Sequence, residues 1–313
     1  MAMETSPRAP VHPVKFLFYN DRGLRAGWRL LIFLLIVLEV PNLVLSILNH
    51  MGKLPPAGPP PSSIPPSQII SAIGVFLWVL LASWIMSRIE RRPVGSYGLP
   101  LVRNAVGLFF KGYFFWGFLP LALLLLLFRV IGVFSFGTII LHGTEIVAWA
   151  AIWGAVFLMA GLVEEFAFRG YVLQTLADGI GFWPAAIILA VGFARAHMGN
   201  PGETKAGILG TFLFAIFAAL TLRRTGNLWL AVGAHAGWDW GQSFFFGVAD
   251  SGLQVQGHLM EPSFHGPGWI TGGSVGPEGS VLTLILWAAM TGLFLLLYRS
   301  REPALVITSD SRL

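Results

Sequence analysis

Long apolar runs recur along this chain of 313 residues, and each could cross a lipid bilayer as a helix. A membrane-spanning helix needs roughly 20 apolar residues to cross a hydrocarbon core of about 30 Å. We identify about eight such runs, at 29–49, 69–88, 107–128, 146–166, 183–198, 206–222, 228–247 and 281–298. Only 11% of the residues are charged, which leaves too little polar surface for a water-soluble fold. The sequence therefore predicts an all-α, polytopic transmembrane helix bundle.

The basic residues lie mostly at one end of the predicted bundle. They precede the first run and follow the second, fourth, sixth and eighth, whereas the other side holds only Lys53, Arg129 and Lys205. The positive-inside rule then predicts that both termini are cytoplasmic. The sequence pI is near 9.9, but no basic cluster lies on a soluble element, so we expect membrane lipid as a partner and no nucleic acid.

The fourth apolar run ends in two carboxylates and an arginine. Ionisable groups at hydrocarbon depth are costly and are therefore candidates for function. Glu165 and Arg169 are four residues apart and can form an ion pair on one helix face. Glu164 is rotated from them by about 100° and remains free to accept a proton. A helix end whose charged side chains reach towards water explains this segment about equally well.

Two later runs carry imidazoles. Phe193 and His197 lie one helical turn apart, and His235 and Asp239 share a face on which they can hydrogen-bond each other or bind one metal. The alternatives are a structural histidine at 197 and a polar clamp between helices at 235 and 239. Together with a glutamate, these groups could deprotonate a water and stabilise an oxyanion, the chemistry of amide hydrolysis. The chain has no cysteine, which excludes a thiol nucleophile.

These segments resemble the CAAX protease and bacteriocin-processing family. Its pattern is Glu-Glu-x-x-x-Arg, then Phe-x-x-x-His, then His-x-x-x-Asn or Asp, on successive membrane helices. The resemblance covers residues 145–248, and the loop 271–279 is also similar to bacterial members. It implies an intramembrane endopeptidase of a bacterial inner membrane that hydrolyses a peptide bond of a membrane-associated protein or peptide, lipidated or not. Glu165, Arg169 and Phe193 would support the catalytic residues.

The resemblance further implies that Glu164 and His197 activate the water, while His235 and Asp239 stabilise the transition state or complete the site. Eukaryotic members place Asn at the position of Asp239, and an ionised Asp would repel an oxyanion. Asp239 is therefore protonated, orients His235, or helps to hold a divalent metal. Zinc is left open as a cofactor, with Glu164, His197, His235 and Asp239 as its ligands.

The family pattern divides the chain into five segments. They are a cytoplasmic segment 1–28, N-terminal transmembrane helices 29–140, catalytic-core helices 141–250, a non-cytoplasmic Gly-rich loop 251–279, and a last helix with a cytoplasmic tail 280–313. The composition of the Gly-rich loop favours a linker over an ordered cap, and the proline-rich stretch 54–67 predicts a stiff spacer.

Straight helices would not bring these groups to one depth. Either the fourth helix starts later and continues past Arg169 towards Ala177, or the fifth tilts or sits shallow. We expect the first, with Glu164 at mid-helix in a cavity open towards the cytoplasm or inner leaflet. The competing hypothesis is a non-proteolytic membrane protein. It would be a scaffold, or a transporter that uses Glu164, His197 and Asp239 as a proton or ion relay.

Overall fold

The computed structural model describes residues 13–20, 23–53 and 63–299. The first twelve residues, residues 54–62 of the proline-rich stretch, and the tail from residue 300 lie outside the described residues, as do the predictions made for them.

Helices make up most of the described chain. The α-helices are α1 (Pro13–Phe18), α2 (Ala26–Leu34), α3 (Val40–His50), α4 (Gln68–Glu90), α5 (Ala105–Lys111), α6 (Leu119–Val130), α7 (Thr144–Arg169), α8 (Tyr171–Ile180), α9 (Phe182–His197), α10 (Lys205–Thr225), α11 (Trp229–Trp240), α12 (Gly268–Thr271) and α13 (Val281–Leu297). Stretches of π-helix continue three of them, at Leu35–Glu39, Gly112–Phe118 and Gly241–Phe245.

Five helical stretches in the described residues are long and apolar enough to cross a membrane. They are Ala26–His50, Gln68–Glu90, Ala105–Val130, Thr144–Ile180 and Lys205–Thr225, and α9 and α13 are shorter apolar helices. The predicted all-α transmembrane fold is confirmed, and the chain is an integral, multi-pass membrane protein. The count of about eight spans and the cytoplasmic location of both termini stay predictions.

The fourth helical stretch continues past Arg169, as expected, but it begins at Thr144, so the expectation of a later start is wrong. It bends at Gly170, whose backbone has ψ −114°, and resumes as α8 up to Ile180. A Cβ at Gly170 would overlap the carbonyl oxygen of Phe166, so only glycine fits this bend. Glu164 therefore lies within a continuous helical segment rather than at its end.

The Gly-rich loop is an ordered cap, which corrects the prediction of a linker. Three two-stranded sheets contribute to the described fold: β1 (Tyr19–Asn20) with β2 (Gly23–Leu24), β3 (Ser63–Ile64) with β5 (Gln254–Val255), and β4 (Phe134–Ile139) with β6 (Met260–Phe264). The last two sheets tie the loop to other parts of the chain. Gly272 and Gly276 have φ of 90° and 98°, and each approaches a backbone carbonyl too closely for a Cβ. Here glycine supplies tight turns rather than flexibility.

Helix α11 packs closely against the α5–α6 segment through glycines on both sides. A Cβ at Gly112 or Gly117 would overlap the carbonyl oxygen of Leu230 or Ala234. A Cβ at Gly233 or Gly237 would overlap that of Phe109 or Tyr113 in the same way. Small residues at membrane helix interfaces allow such backbone contact. This contact fixes the position of the helix that carries His235 and Asp239.

Candidate active site

Three of the predicted site residues meet around one carboxylate oxygen. The Oε2 atom of Glu164, on α7, lies 3.9 Å from Nε2 of His197 on α9 and 3.7 Å from Nε2 of His235 on α11. This oxygen is itself buried and has no hydrogen-bond partner. The three helices therefore place one unpaired carboxylate oxygen opposite two imidazole nitrogens, each too far away for a direct hydrogen bond.

The other nitrogen of each imidazole is fixed by a hydrogen bond. His197 Nδ1 lies 2.8 Å from the carbonyl oxygen of Phe193, and His235 Nδ1 lies 2.9 Å from Oε1 of Glu165. A carbonyl oxygen only accepts, and an ionised carboxylate does too, so in both rings Nδ1–H donates. Both Nε2 atoms therefore face Glu164, and the bond at Nδ1 sets the ring orientation.

The supporting residues form a layer behind the histidines. Arg169 Nη1 lies 3.4 Å from Oε1 of Glu165, which is the ion pair expected from their spacing. The guanidinium also lies 4.2 Å above the ring centre of Phe193, whose ring is 4.6 Å from that of His197. Arg169 is thus linked to both histidines, to one through Glu165 and to the other through Phe193.

Asp239 faces the same side of His235 as Glu164 does. Its Oδ2 lies 3.5 Å from Nε2 of His235, and the residue is only 7% exposed. Among the described residues it has no hydrogen-bond partner. Because Glu165 already holds Nδ1, Asp239 does not orient the ring through that atom. The alternatives in which Asp239 is protonated or helps to hold a divalent metal stay predictions.

A cavity of about 520 Å³ opens onto these groups. Its lining includes Glu164, His197, His235 and Asp239 together with aromatic side chains. Its lining also includes Ile64, Gln68, Asn200, Ser251 and Leu253. These residues lie at the end of the bundle that carries the Gly-rich loop, not at the arginine-rich end.

The direction of the opening relative to the membrane, expected towards the cytoplasm or inner leaflet, stays a prediction. His197 is the last residue of α9, a helix of only 16 residues, so the site lies close to the loop-bearing end. The positive-inside rule predicts that this end is non-cytoplasmic.

Two carboxylates that the sequence analysis did not select also line the cavity. Asp250 accepts a hydrogen bond of 3.1 Å from Ser243 Oγ. Glu278 accepts one of 3.1 Å from Trp238 Nε1 and two from Ser251, from its N–H at 3.1 Å and its hydroxyl at 3.2 Å. Burial, with the nearby carboxylates of Asp239 and Glu278, raises the pKa of Asp250 well above its usual value. The one available signal was that residues 250–279 include three acidic residues and neither Lys nor Arg.

The donor atoms do not form a complete metal site. Nε2 atoms held from behind at Nδ1 would suit a divalent ion. However, no group of three or more His, Asp or Glu residues in the described ranges has an arrangement that could hold one. The mechanism below therefore contains no step at a metal.

A family model described as type II CAAX prenyl endopeptidase Rce1-like matches residues 146–241. The chain contains an Rce1-like domain. This confirms the predicted resemblance, and the Rce1-like family is one of intramembrane CAAX proteases, which supports a membrane endopeptidase. The Rce1-like domain holds Glu164, His197, His235 and Asp239, whereas Asp250 and Glu278 lie beyond it. Searches of curated proteins and of solved structures found no match to the chain.

Proposed function

We propose that this protein hydrolyses a peptide bond of a membrane-associated protein or peptide with a water activated by Glu164 and two histidines. The observation that carries the proposal is the unpaired Oε2 of Glu164, which faces Nε2 of His197 and of His235 at 3.9 Å and 3.7 Å. A water bridging these atoms at about 2.8 Å from each would fit the gap. The cavity gives a peptide access to that position.

Glu164 acts as the general base. The bound water donates one hydrogen to Glu164 and the other to the lone pair of His197 Nε2, which orients it for attack. As the water oxygen bonds to the peptide carbonyl carbon, its proton passes to Glu164. That proton then moves to the amide nitrogen as the C–N bond breaks, so the proton count closes.

His235 acts on the developing oxyanion. When its Nε2 carries a proton, this N–H can donate to the carbonyl oxygen that becomes negative. Asp239, 3.5 Å from the same nitrogen, stabilises the protonated ring rather than meeting the oxyanion itself. Glu165 is a positioning residue, because it acts through Nδ1 of His235.

The test is cleavage of lipidated and transmembrane peptides by the purified protein in lipid, read out by mass spectrometry. Glu164→Gln should lower the rate by about 10²–10⁴-fold, the usual contribution of a general base. Glu145→Gln, an exposed glutamate in the first turn of the same helix, is the matched control and should cleave like the wild type.

Equal activity of Glu164→Gln and wild type would contradict the proposed mechanism and favour a scaffold or transporter. A chelator arm, with zinc added back, tests the metal hypothesis separately. Loss on chelation and recovery with zinc would show that an ion joins the imidazoles, whereas unchanged activity would support the metal-free steps given above.

A further inference from the structure

The first membrane-spanning stretch packs against the bundle through only part of its length. It runs from Ala26 to His50 and is described throughout, and Phe33 is its one buried residue. Helix α2 packs against α4 and α8, whereas α3 makes little contact outside its own stretch. The half of the span formed by α3 is therefore open to the surrounding membrane.

A polar stripe runs along one face of this open half. Its members are Glu39, Asn42, Ser46 and Asn49, all of them exposed. At about 100° per residue, the four side chains fall within a sector of about 80°. Pro41 and Leu48 are the only residues of α3 that are not exposed, and they lie about 180–200° from Glu39. The polar stripe therefore points away from the bundle.

The polar stripe begins in the middle of the membrane span. Glu39 is the fourteenth of the 25 residues, and Asn42 lies about 12 Å along the helix from the end at His50. Within the part of the chain that the structure describes, no side chain of the stripe has a hydrogen bond or an ion pair. Polar groups that face hydrocarbon cost free energy, because no water satisfies them there. Another polar surface that met the stripe would remove this cost.

Two copies of the protein present matching groups to each other. Copies in one membrane share the same orientation, so two α3 helices pair in parallel with equivalent residues at equal depth. A two-fold axis then brings each flank of the polar stripe against the opposite flank of the second copy. Glu39 lies about 20° to one side of Ser46, and Asn42 lies about 40° to the other side. Asn42 of one copy can therefore donate a hydrogen bond to Glu39 of the other, with the two Ser46 hydroxyls near the axis.

The composition of the polar stripe favours a second copy over a cationic partner. Asparagine and serine side chains both donate and accept, so each can pair with an identical group. A cationic helix would meet only Glu39 and would leave the two amides and the hydroxyl without partners. We propose that the protein forms a parallel homodimer in which the polar stripes of two α3 helices hydrogen-bond to each other within the membrane.

Disulfide cross-linking tests this contact, because the chain has no cysteine of its own. Ser46→Cys places a thiol in the polar stripe. Val44→Cys, 48% exposed and almost at the same depth on the far side of α3, is the matched control. In membranes treated with copper phenanthroline, Ser46→Cys should form a disulfide-linked dimer at least about tenfold more than Val44→Cys, because a disulfide needs closely spaced Cβ atoms.

Two outcomes would overturn the proposal. One is dimer formation by Ser46→Cys at no more than the level of Val44→Cys. The other is a disulfide between Ser46→Cys and a different protein without any homodimer, which would assign the polar stripe to a foreign partner.

An association measurement tests whether the polar groups hold the dimer together. Energy transfer between donor-labelled and acceptor-labelled copies in lipid vesicles gives the dimer dissociation constant as the protein is diluted with lipid. Asn42→Leu should raise this constant by about 3–20-fold, the usual effect of one hydrogen bond between membrane helices. Glu39→Gln should stay within about threefold of the wild type, because the amide oxygen still accepts from Asn42. Binding to a cation would instead be lost in Glu39→Gln.

The matched control in this measurement is Val44→Leu, which should leave the dissociation constant unchanged. Since Asn42 contacts no polar group of the described chain, Asn42→Leu should also keep the thermal stability of the wild type under conditions where both are monomeric. Equal dissociation constants for Asn42→Leu and wild type would contradict the proposed pairing. Both experiments measure association, so their outcome does not depend on peptidase activity.

Discussion

Glu165 connects the buried guanidinium of Arg169 to the imidazole of His235. Its fully buried Oε1 contacts Arg169 at 3.4 Å and His235 at 2.9 Å. Removing one partner of a buried ion pair costs about 3–5 kcal/mol, because the other charge is left uncompensated. Arg169→Met should therefore lower the free energy of unfolding by about that amount, measured by denaturant unfolding in mixed micelles.

Replacing Glu165 as well should restore part of the lost free energy of unfolding. In Glu165→Gln/Arg169→Met neither charge is left buried alone, so the double variant should be more stable than Arg169→Met. Peptidase activity should not recover with stability, since a neutral amide can accept the hydrogen bond from Nδ1 of His235 but no longer stabilises the protonated ring. Equal stability of the single and double variants would show that the pair is not energetically coupled.

Asp250 gives the molecule a pH-dependent stability of predictable sign. Burial and the carboxylates of Asp239 and Glu278 raise its pKa, while Ser243 and His235 act in the opposite direction. The unfolded carboxyl ionises near pH 4, so above that pH the folded state binds the extra proton and stability falls as pH rises. Asp250→Asn removes this dependence and can still accept the Ser243 hydrogen bond.

The stability difference between Asp250→Asn and wild type should therefore grow from pH 4 upward, until the folded carboxyl also ionises. Thermal unfolding in detergent across pH 4–9 measures it. A constant difference over this range would show that Asp250 has no raised pKa.

At the scale of single residues, the sequence predicted the side-chain contacts that lie within one helix. The four-residue spacing placed Glu165 beside Arg169, and Phe193 beside His197, because helical periodicity is local. It did not predict the bond between Glu165 and His235, which are 70 residues apart and meet only through packing of α7 against α11. The roles of Asp250 and Glu278 were missed for the same reason.

At the scale of the elements, close backbone contact holds α11 against the α5–α6 segment. Gly233 and Gly237 touch the backbone of the α5–α6 segment, and neither leaves space for a Cβ. Gly237→Ala should push α11 away from that segment and shift His235 and Asp239, which lie on either side of it in sequence. A displacement of about 1 Å at a catalytic group can cost about 10²-fold in rate, so we expect at least that loss of peptidase activity.

Gly107→Ala is the matched control, because it lies on α5 but its added Cβ would meet no atom within 4 Å. It should retain wild-type activity and thermal stability. Wild-type activity in Gly237→Ala would show that the close contact does not position the site.

The bounds of the elements were easier to predict than their shape. The apolar runs matched the helices of the described chain to within a few residues, because a span must be both long and apolar. The bend at Gly170 and the ordered loop were not expected, since glycine-rich composition alone does not distinguish a tight turn from a flexible linker.

On the scale of the whole molecule, the two ends of the helix bundle differ. One end carries arginines, and the other carries the cavity mouth. The described arginines that follow α4 and α10 lie at one end, whereas β3, β5 and the cavity mouth lie at the other. The positive-inside rule places the arginine-rich end in the cytoplasm. The substrate would then reach Glu164 from the non-cytoplasmic side, or laterally from the outer part of the bilayer.

The chain has no cysteine, so single-cysteine variants can test this orientation without background labelling. Ser96, in the turn after α4, and Ser263, on β6, are exposed at opposite ends and make a matched pair. In intact cells a membrane-impermeant maleimide should label Ser263→Cys and spare Ser96→Cys, and permeabilisation should make both reactive. The reverse pattern would put the cavity mouth in the cytoplasm. The local arrangement of Glu164 and the histidines would be unaffected, but the charge-based topology would be wrong, because loop packing rather than arginine position would then have set the insertion.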